Sequence, residues 1–248
     1  MKDETMHPTP AYGTLLITDD SAALARITAD RLLAWATETA GPVRIALSGG
    51  STPRCTYQEL AGPRFVSRFP WARVHWFWGD ERFVPPDHPH SNFRMAREAM
   101  LDMAPVPHAN IHPIPTVGMG ADEAVAEYEA EMRRAYGSSV LESGRALFDV
   151  CLLGLGEDGH TASLIPGEPV LGERTHWVAA VAHGRPEERI TLTYPAINSS
   201  WHIAFLVSGA SKRAILREVL AGSSVVPAAQ LKPLGELVFI ADRDAAGP

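Results

Sequence analysis

Cysteine is nearly absent. Cys55 and Cys151 are the only two in 248 residues, and they lie too far apart for a Cys-x-x-Cys motif; Cys151 also sits in an apolar run, where a thiol acts as a small hydrophobe. No disulfide framework is expected, and because no His-Glu-x-x-His spacing occurs either, no metal is expected. Long apolar runs are missing, and the polar, proline-containing segment Met1–Thr9 lacks the hydrophobic core of a signal peptide. The expectation is a cytoplasmic protein with no membrane partner. There is no excess of positive charge: 22 Lys and Arg face 29 Asp and Glu, a formal net charge of -7. A dominant basic face for nucleic acid is thereby excluded, although a local basic pocket is not. Neither the Gly-Lys-Ser/Thr ending of a P-loop nor the three-glycine dinucleotide fingerprint is found, so no nucleotide or other cofactor is expected.

What is present is the balance of an ordinary globular chain, 46% hydrophobic and 21% charged, long enough for one sizeable core. Residues 1–12 read as a flexible arm and 13–243 as a single domain, monomeric or weakly self-associating. Leu24, Ile27, Leu32 and Trp35 share one face of a helix over about Ser21 to Thr37. Val43–Leu47 is a short β-rich run, followed by Ser48–Thr52 and a helix expected to be capped by Thr52 with Pro53 at its first position. The alternation continues. Val74–Trp78 is a strand, Gly79–Arg82 its exit loop, and Ser91 the cap of a further helix. Another helix runs from about Asp122 to Tyr136, then a strand over Phe148–Leu153. Trp177–Val181, Arg189–Thr193, His202–Val207 and Leu237–Ile240 are the remaining strands, a helix begins near Lys212, and 244–248 is a tail. Strands alternating with helices imply an α/β, Rossmann-like fold, a largely parallel sheet with helices on both faces.

Four polar clusters each follow the end of an apolar strand: Ser48–Thr52, Asp80–Arg82, Glu157–His160 and Ser208–Lys212. In open α/β sheets ligands bind outside the carboxyl ends of the strands, so the four clusters are expected at one pocket. Ser48, Gly49, Gly50, Ser51 and Thr52 have the chemistry of an anion cradle at a helix N-terminus, and equally that of a plain turn and cap. His160 follows two glycines of a loop and can transfer protons near neutral pH, with Asp158 two residues earlier able to orient it. Lys212 opens a helix, where its charge opposes the dipole unless an anion is bound. Arg82 and Arg189, at strand boundaries, can offer a planar fork to phosphate or carboxylate; each is also an ordinary solvated charge in isolation.

Taken together, Ala46–Pro53, Trp78–Pro85 with His88–Asn92, Leu153–Leu164, Arg189–Thr193 with Asn198, and Ser208–Lys212 resemble the 6-phosphogluconolactonases, relatives of glucosamine-6-phosphate deaminase. Pro227–Leu231 is similar more loosely. The resemblance runs in order from about Val43 to Leu231. It implies a phosphosugar pocket and the opening of 6-phosphogluconolactone to 6-phosphogluconate. It also implies that His160 is the base that activates water, with the glycine-rich loop, Asp80, Arg82, Arg189 and Lys212 around the substrate. The deaminases carry a glutamate five residues after the histidine, immediately before a proline. Here Ile165 precedes Pro166, which sets the deaminase reading behind the lactonase one. A non-catalytic phosphosugar sensor stands further back still.

Overall fold

The structure, a computed structural model, describes residues 5–6 and 12–247. A seven-stranded sheet runs through the middle. Its strands are β1 (Thr5–Met6), β2 (Thr14–Thr18), β3 (Val43–Leu47), β4 (Val74–Trp78), β6 (Phe148–Leu153), β9 (Ser200–Val207) and β10 (Glu236–Asp242), in the order β1-β2-β10-β9-β6-β3-β4. All pairings are parallel except that of β1 with β2. Every residue of β6, Phe-Asp-Val-Cys-Leu-Leu, is buried, which requires cover on both faces of the sheet. The helices that flank it are α1 (Ser21–Glu38), α2 (Ser51–Leu60), α3 (Asn92–Ala96), α4 (Ala121–Tyr136), α5 (Tyr194–Asn198), α6 (Arg213–Leu220) and α7 (Arg243–Ala246). The expected α/β architecture is present.

Several local expectations are corrected. Asp80–Arg82 is not a loop but a strand, β5, which pairs antiparallel with β8 (Arg189–Leu192); β8 in turn pairs antiparallel with β7 (Val178–Val181). These three strands form a second sheet, outside the parallel one. Three charged residues carry no strand signal of their own, and only pairing with β8 makes them one. The helix after β3 is capped by Gly50, not Thr52: Ser51 and Thr52 are already helical and Pro53 is the third helical residue. The C-terminal tail includes α7, whose cap Asp242 accepts from the Ala245 N–H. Strand β2 has no counterpart in the sequence reading. The flexible-arm expectation for residues 1–12 falls mostly outside the described residues. Thr5–Met6 pair with β2, and the Tyr12 hydroxyl donates to the Leu231 carbonyl.

One feature of the topology positions the site. The chain passes from β3 outward to β4, then returns to lay β6 on the other side of β3. The loops leaving β3 and β6 therefore diverge, opening a crevice at their carboxyl ends.

Candidate active site

The crevice holds a cavity of about 250 Å³ that receives residues from all four polar clusters. Its floor is the β3–α2 turn. The buried Tyr57 hydroxyl accepts from the Ser48 N–H at 2.9 Å and donates to the Ser48 carbonyl at 2.8 Å, fixing the start of the turn. The two glycines are needed for different reasons. Gly50 has φ +108, a conformation that L side chains rarely adopt. A Cβ on Gly49 would lie 2.0 Å from Asn92 Oδ1, so Gly49 makes room for a neighbouring side chain. Because Gly50 caps α2 without a side-chain hydrogen bond, the first helical N–H groups belong to Ser51 and Thr52, residues that line the cavity at the favourable end of the helix dipole.

Strand β5 supplies a second wall. Asp80 is buried and accepts from Ser163 Oγ at 2.7 Å and from Asn92 Nδ2 at 3.3 Å, with Arg189 3.8 Å away. Burial pushes the Arg189 guanidinium down from its ordinary value, and Asp80 pulls it back up. Arg82 Nη1 donates to the His90 carbonyl at 2.5 Å. Between them Glu81 points away from the cavity. Its carboxylate accepts from the N–H groups of Arg82 (2.8 Å), Asn92 (2.7 Å) and Phe93 (2.7 Å) and from Ser91 Oγ (3.0 Å). It thus ties β5 to the start of α3.

The β6 exit loop carries His160, and a Gly156 Cβ would lie 1.9 Å from the imidazole Nδ1, so the ring packs directly on that glycine. Nδ1 lies 2.5 Å from Asp158 Oδ1. A carboxylate there selects the tautomer with the proton on Nδ1 and leaves Nε2 with its lone pair. Asp158 itself does not line the cavity; it stands behind the ring. Arg185 donates to Asp158 Oδ2 at 2.6 Å. Burial acts to raise the Asp158 carboxyl, but the hydrogen bonds from Arg185 and His160 outweigh it and hold the group well below its ordinary value. Ala162, on the same wall, has a φ of 47, a left-handed conformation that is uncommon for a residue with a Cβ.

The last wall is the β9–α6 turn. Ser208 Oγ donates to Asp242 Oδ2 at 2.5 Å and the Gly209 N–H to Asp242 Oδ1 at 3.1 Å, so the buried end of β10 fixes the turn that presents Lys212. Arg82, Arg189 and Lys212 line the cavity against one carboxylate, Asp80. In a chain of net charge -7 this is a local anion-attracting site. Ser48, Gly49, Gly50, Ser51 and Thr52 from the first cluster, and His160 from the third, complete the expected lining. The sequence reading did not assign roles to Tyr57, Glu81, Asn92, Arg185 or Asp242. Asn92 falls within the segment His88–Asn92 and Glu81 lies between Asp80 and Arg82, whereas Arg185 and Asp242 carry no signal in the sequence. Among the described residues no three His, Cys, Asp or Glu side chains gather as a metal site.

The sequence model of the family described as glucosamine-6-phosphate isomerases/6-phosphogluconolactonase matches residues 19–239. The chain belongs to that family. Among curated relatives, the 6-phosphogluconolactonase of Synechocystis is 43% identical over 211 residues, covering 83% of this chain and 84% of that protein. The 6-phosphogluconolactonase of Nostoc is 39% identical over 238 residues, covering 94% and 96%. Among solved structures, the 6-phosphogluconolactonase from Thermotoga maritima superposes with a TM-score of 0.78 at 29% identity, over 92% of this chain and 98% of that one. Within the family's two activities, this member has the buried Ile165 five residues after His160, and Asp80 is the one carboxylate lining its cavity among the described residues. No described helix is long and apolar enough to cross a membrane.

Proposed function

We propose that this chain is a lactone hydrolase that opens 6-phospho-D-glucono-1,5-lactone to 6-phosphogluconate, with residues 13–243 as its catalytic domain. The observation that carries the reading is the His160 ring, held at Nδ1 by Asp158 while it lines the same cavity as the N-terminus of α2 and Lys212. The phosphate is held by the first N–H groups of α2, the Ser51 and Thr52 hydroxyls and Lys212. Fixing one end of the substrate brings the ester carbonyl near the imidazole and removes the entropy of finding it. His160 Nε2 takes a proton from water as the oxygen attacks the carbonyl carbon. Arg82 and Arg189 supply charge for the resulting oxyanion, worth roughly 3 kcal/mol per donor at other acyl-transfer sites. As the tetrahedral species collapses, the ring C–O bond breaks and the imidazolium returns its proton to the departing oxygen. The product carboxylic acid ionises, so each turnover releases one proton. A lactone is already an activated ester, and this sequence asks for no covalent nucleophile.

The activities of the relatives and Ile165, where a deaminase would need a carboxylate, support this reading over deamination. The substrate is a charged phosphorylated sugar that does not cross membranes unaided, which favours a cytoplasmic enzyme, acting as a monomer or weak homo-oligomer. Purified protein mixed with freshly made 6-phosphogluconolactone should release acid faster than the spontaneous reaction, and with glucosamine 6-phosphate it should release no ammonia. Ammonia without acid release overturns the assignment.

A further inference from the structure

We propose that Arg185 is a positioning residue for the His160 base, acting through Asp158 from outside the cavity. The inference deepens the lactonase reading and rests on it for its kinetic part. Arg185 sits on the segment 182–188 that joins β7 to β8, with β7 between it and the β6 exit loop that it touches. The segment turns at Gly184, φ +76, where a Cβ would come within 3.1 Å of Glu168 Oε1. Arg185 Nη1 then donates to the Gly184 carbonyl at 2.7 Å, and Nη2 donates to Asp158 Oδ2 at 2.6 Å while standing 2.9 Å from His160 Nδ1. The side chain is 26% exposed and that of Asp158 42% exposed.

The carboxylate is thereby divided between two jobs. Oδ1 accepts from the His160 backbone N–H at 3.2 Å and meets Nδ1 at 2.5 Å, and Oδ2 belongs to Arg185. A guanidinium has only donors, so its approach to Nδ1 is not a hydrogen bond when that nitrogen carries its proton; it is a cation beside the ring. Two consequences follow. A half-exposed aspartate on a glycine-rich loop is free to rotate toward water, and a second partner on its other oxygen holds its plane against the imidazole. A carboxylate without a counter-charge favours the cationic form of a neighbouring imidazole. The guanidinium opposes that charge, so Asp158 orients the ring while Nε2 stays free to act as base. The other charged residues that line the cavity with the ring are Asp80, Arg82, Arg189 and Lys212, and Glu157 is exposed on the ring's own loop. The residues packed beneath that loop at Gly159, Ile215 and Val226, are apolar. None of these takes the place of Arg185 on Oδ2.

The test uses the full chain with Arg185→Gln and Arg185→Lys. In Arg185→Gln the acidic limb of kcat/KM for 6-phosphogluconolactone should move to higher pH by roughly one unit. Activity near pH 6 should then fall several-fold while the alkaline plateau and KM stay close to wild type, because Arg185 does not line the cavity. Arg185→Lys should recover most of the shift. The His160 ring signal, followed by NMR titration of the free protein, should move its midpoint in the same direction, and this readout needs no substrate. If wild type shows no lactonase activity, the proposed function falls while the titration still decides the role of Arg185. An unmoved midpoint, a lowered melting temperature with superposable pH profiles, or a tenfold rise in KM with an unmoved limb would each overturn the proposal.

Discussion

Glu81 and Asp158 each support a wall of the candidate site, one from the interior and the other from the surface. Glu81 is 2% exposed and all four of its recorded donors are local, three backbone N–H groups and the Ser91 hydroxyl. Burial pushes its carboxyl up, against those hydrogen bonds. Asp158 is exposed and bound to two groups that carry or acquire charge, and its carboxyl is held down. The interior wall is therefore a scaffold, in which backbone amides are satisfied by a charge that cannot reach water. The surface wall is a device, in which exposed ionic contacts contribute little to stability and instead hold one imidazole against a carboxylate.

That contrast is broken most sharply by truncating each carboxylate. Glu81→Ala leaves buried N–H groups and a hydroxyl without acceptors and should lower the unfolding free energy on the order of 3 kcal/mol. Asp158→Asn should lower it by about 1 kcal/mol or less. Urea denaturation of both variants checks this, and equal losses would erase the distinction. Next in size is the device's working part: His160→Ala should keep the fold and KM while lowering kcat about a hundredfold or more. Near-normal turnover would remove His160 from the chemistry. Lys212→Ala, on the wall fixed by Asp242, should raise KM about tenfold with kcat little changed, as expected for loss of one charge-assisted contact to the phosphate. An unchanged KM would take Lys212 out of the anion site.

The sequence exposed the scaffold unevenly. The parallel strands were legible because runs such as Val150–Leu153 are apolar throughout and are followed by glycine, and the polar clusters after them marked the crevice. Strand β5 was hidden because Asp80–Arg82 has strand geometry only through β8, more than a hundred residues away. The Thr52 cap was misplaced because Thr-Pro fits a capped helix start, whereas the turn uses the left-handed freedom of Gly50 two residues earlier. His160 and Asp158 were readable as neighbours in one loop. Arg185 was not, since an arginine in a polar segment shows no period, and only the fold brings it to Oδ2 of Asp158.

The smallest expected effect is also the one that separates the two carboxylates by sign. Stability rises with pH wherever the unfolded chain binds more protons than the folded one. For Asp158, whose folded value lies below its ordinary 3.8, the contribution is present above that ordinary value and is lost as pH falls through the depressed one. For Glu81, whose folded value lies above its ordinary 4.5, the folded protein keeps the proton longer, so stability declines as pH rises from 4.5 through the raised value. The melting temperature of wild type minus that of Asp158→Asn should therefore shrink as pH drops below about 3.8, by an amount limited to a fraction of 1 kcal/mol because the pair is exposed. Wild type minus Glu81→Gln should instead shrink as pH climbs above 4.5. The amide keeps an acceptor for two of the donors but sets its own NH₂ against another backbone N–H, so Glu81→Gln begins at a deficit that only the pH trend can separate from the titration. Two slopes of the same sign would mean that both carboxylates are governed by the same term, and that the interior and surface walls do not differ in kind.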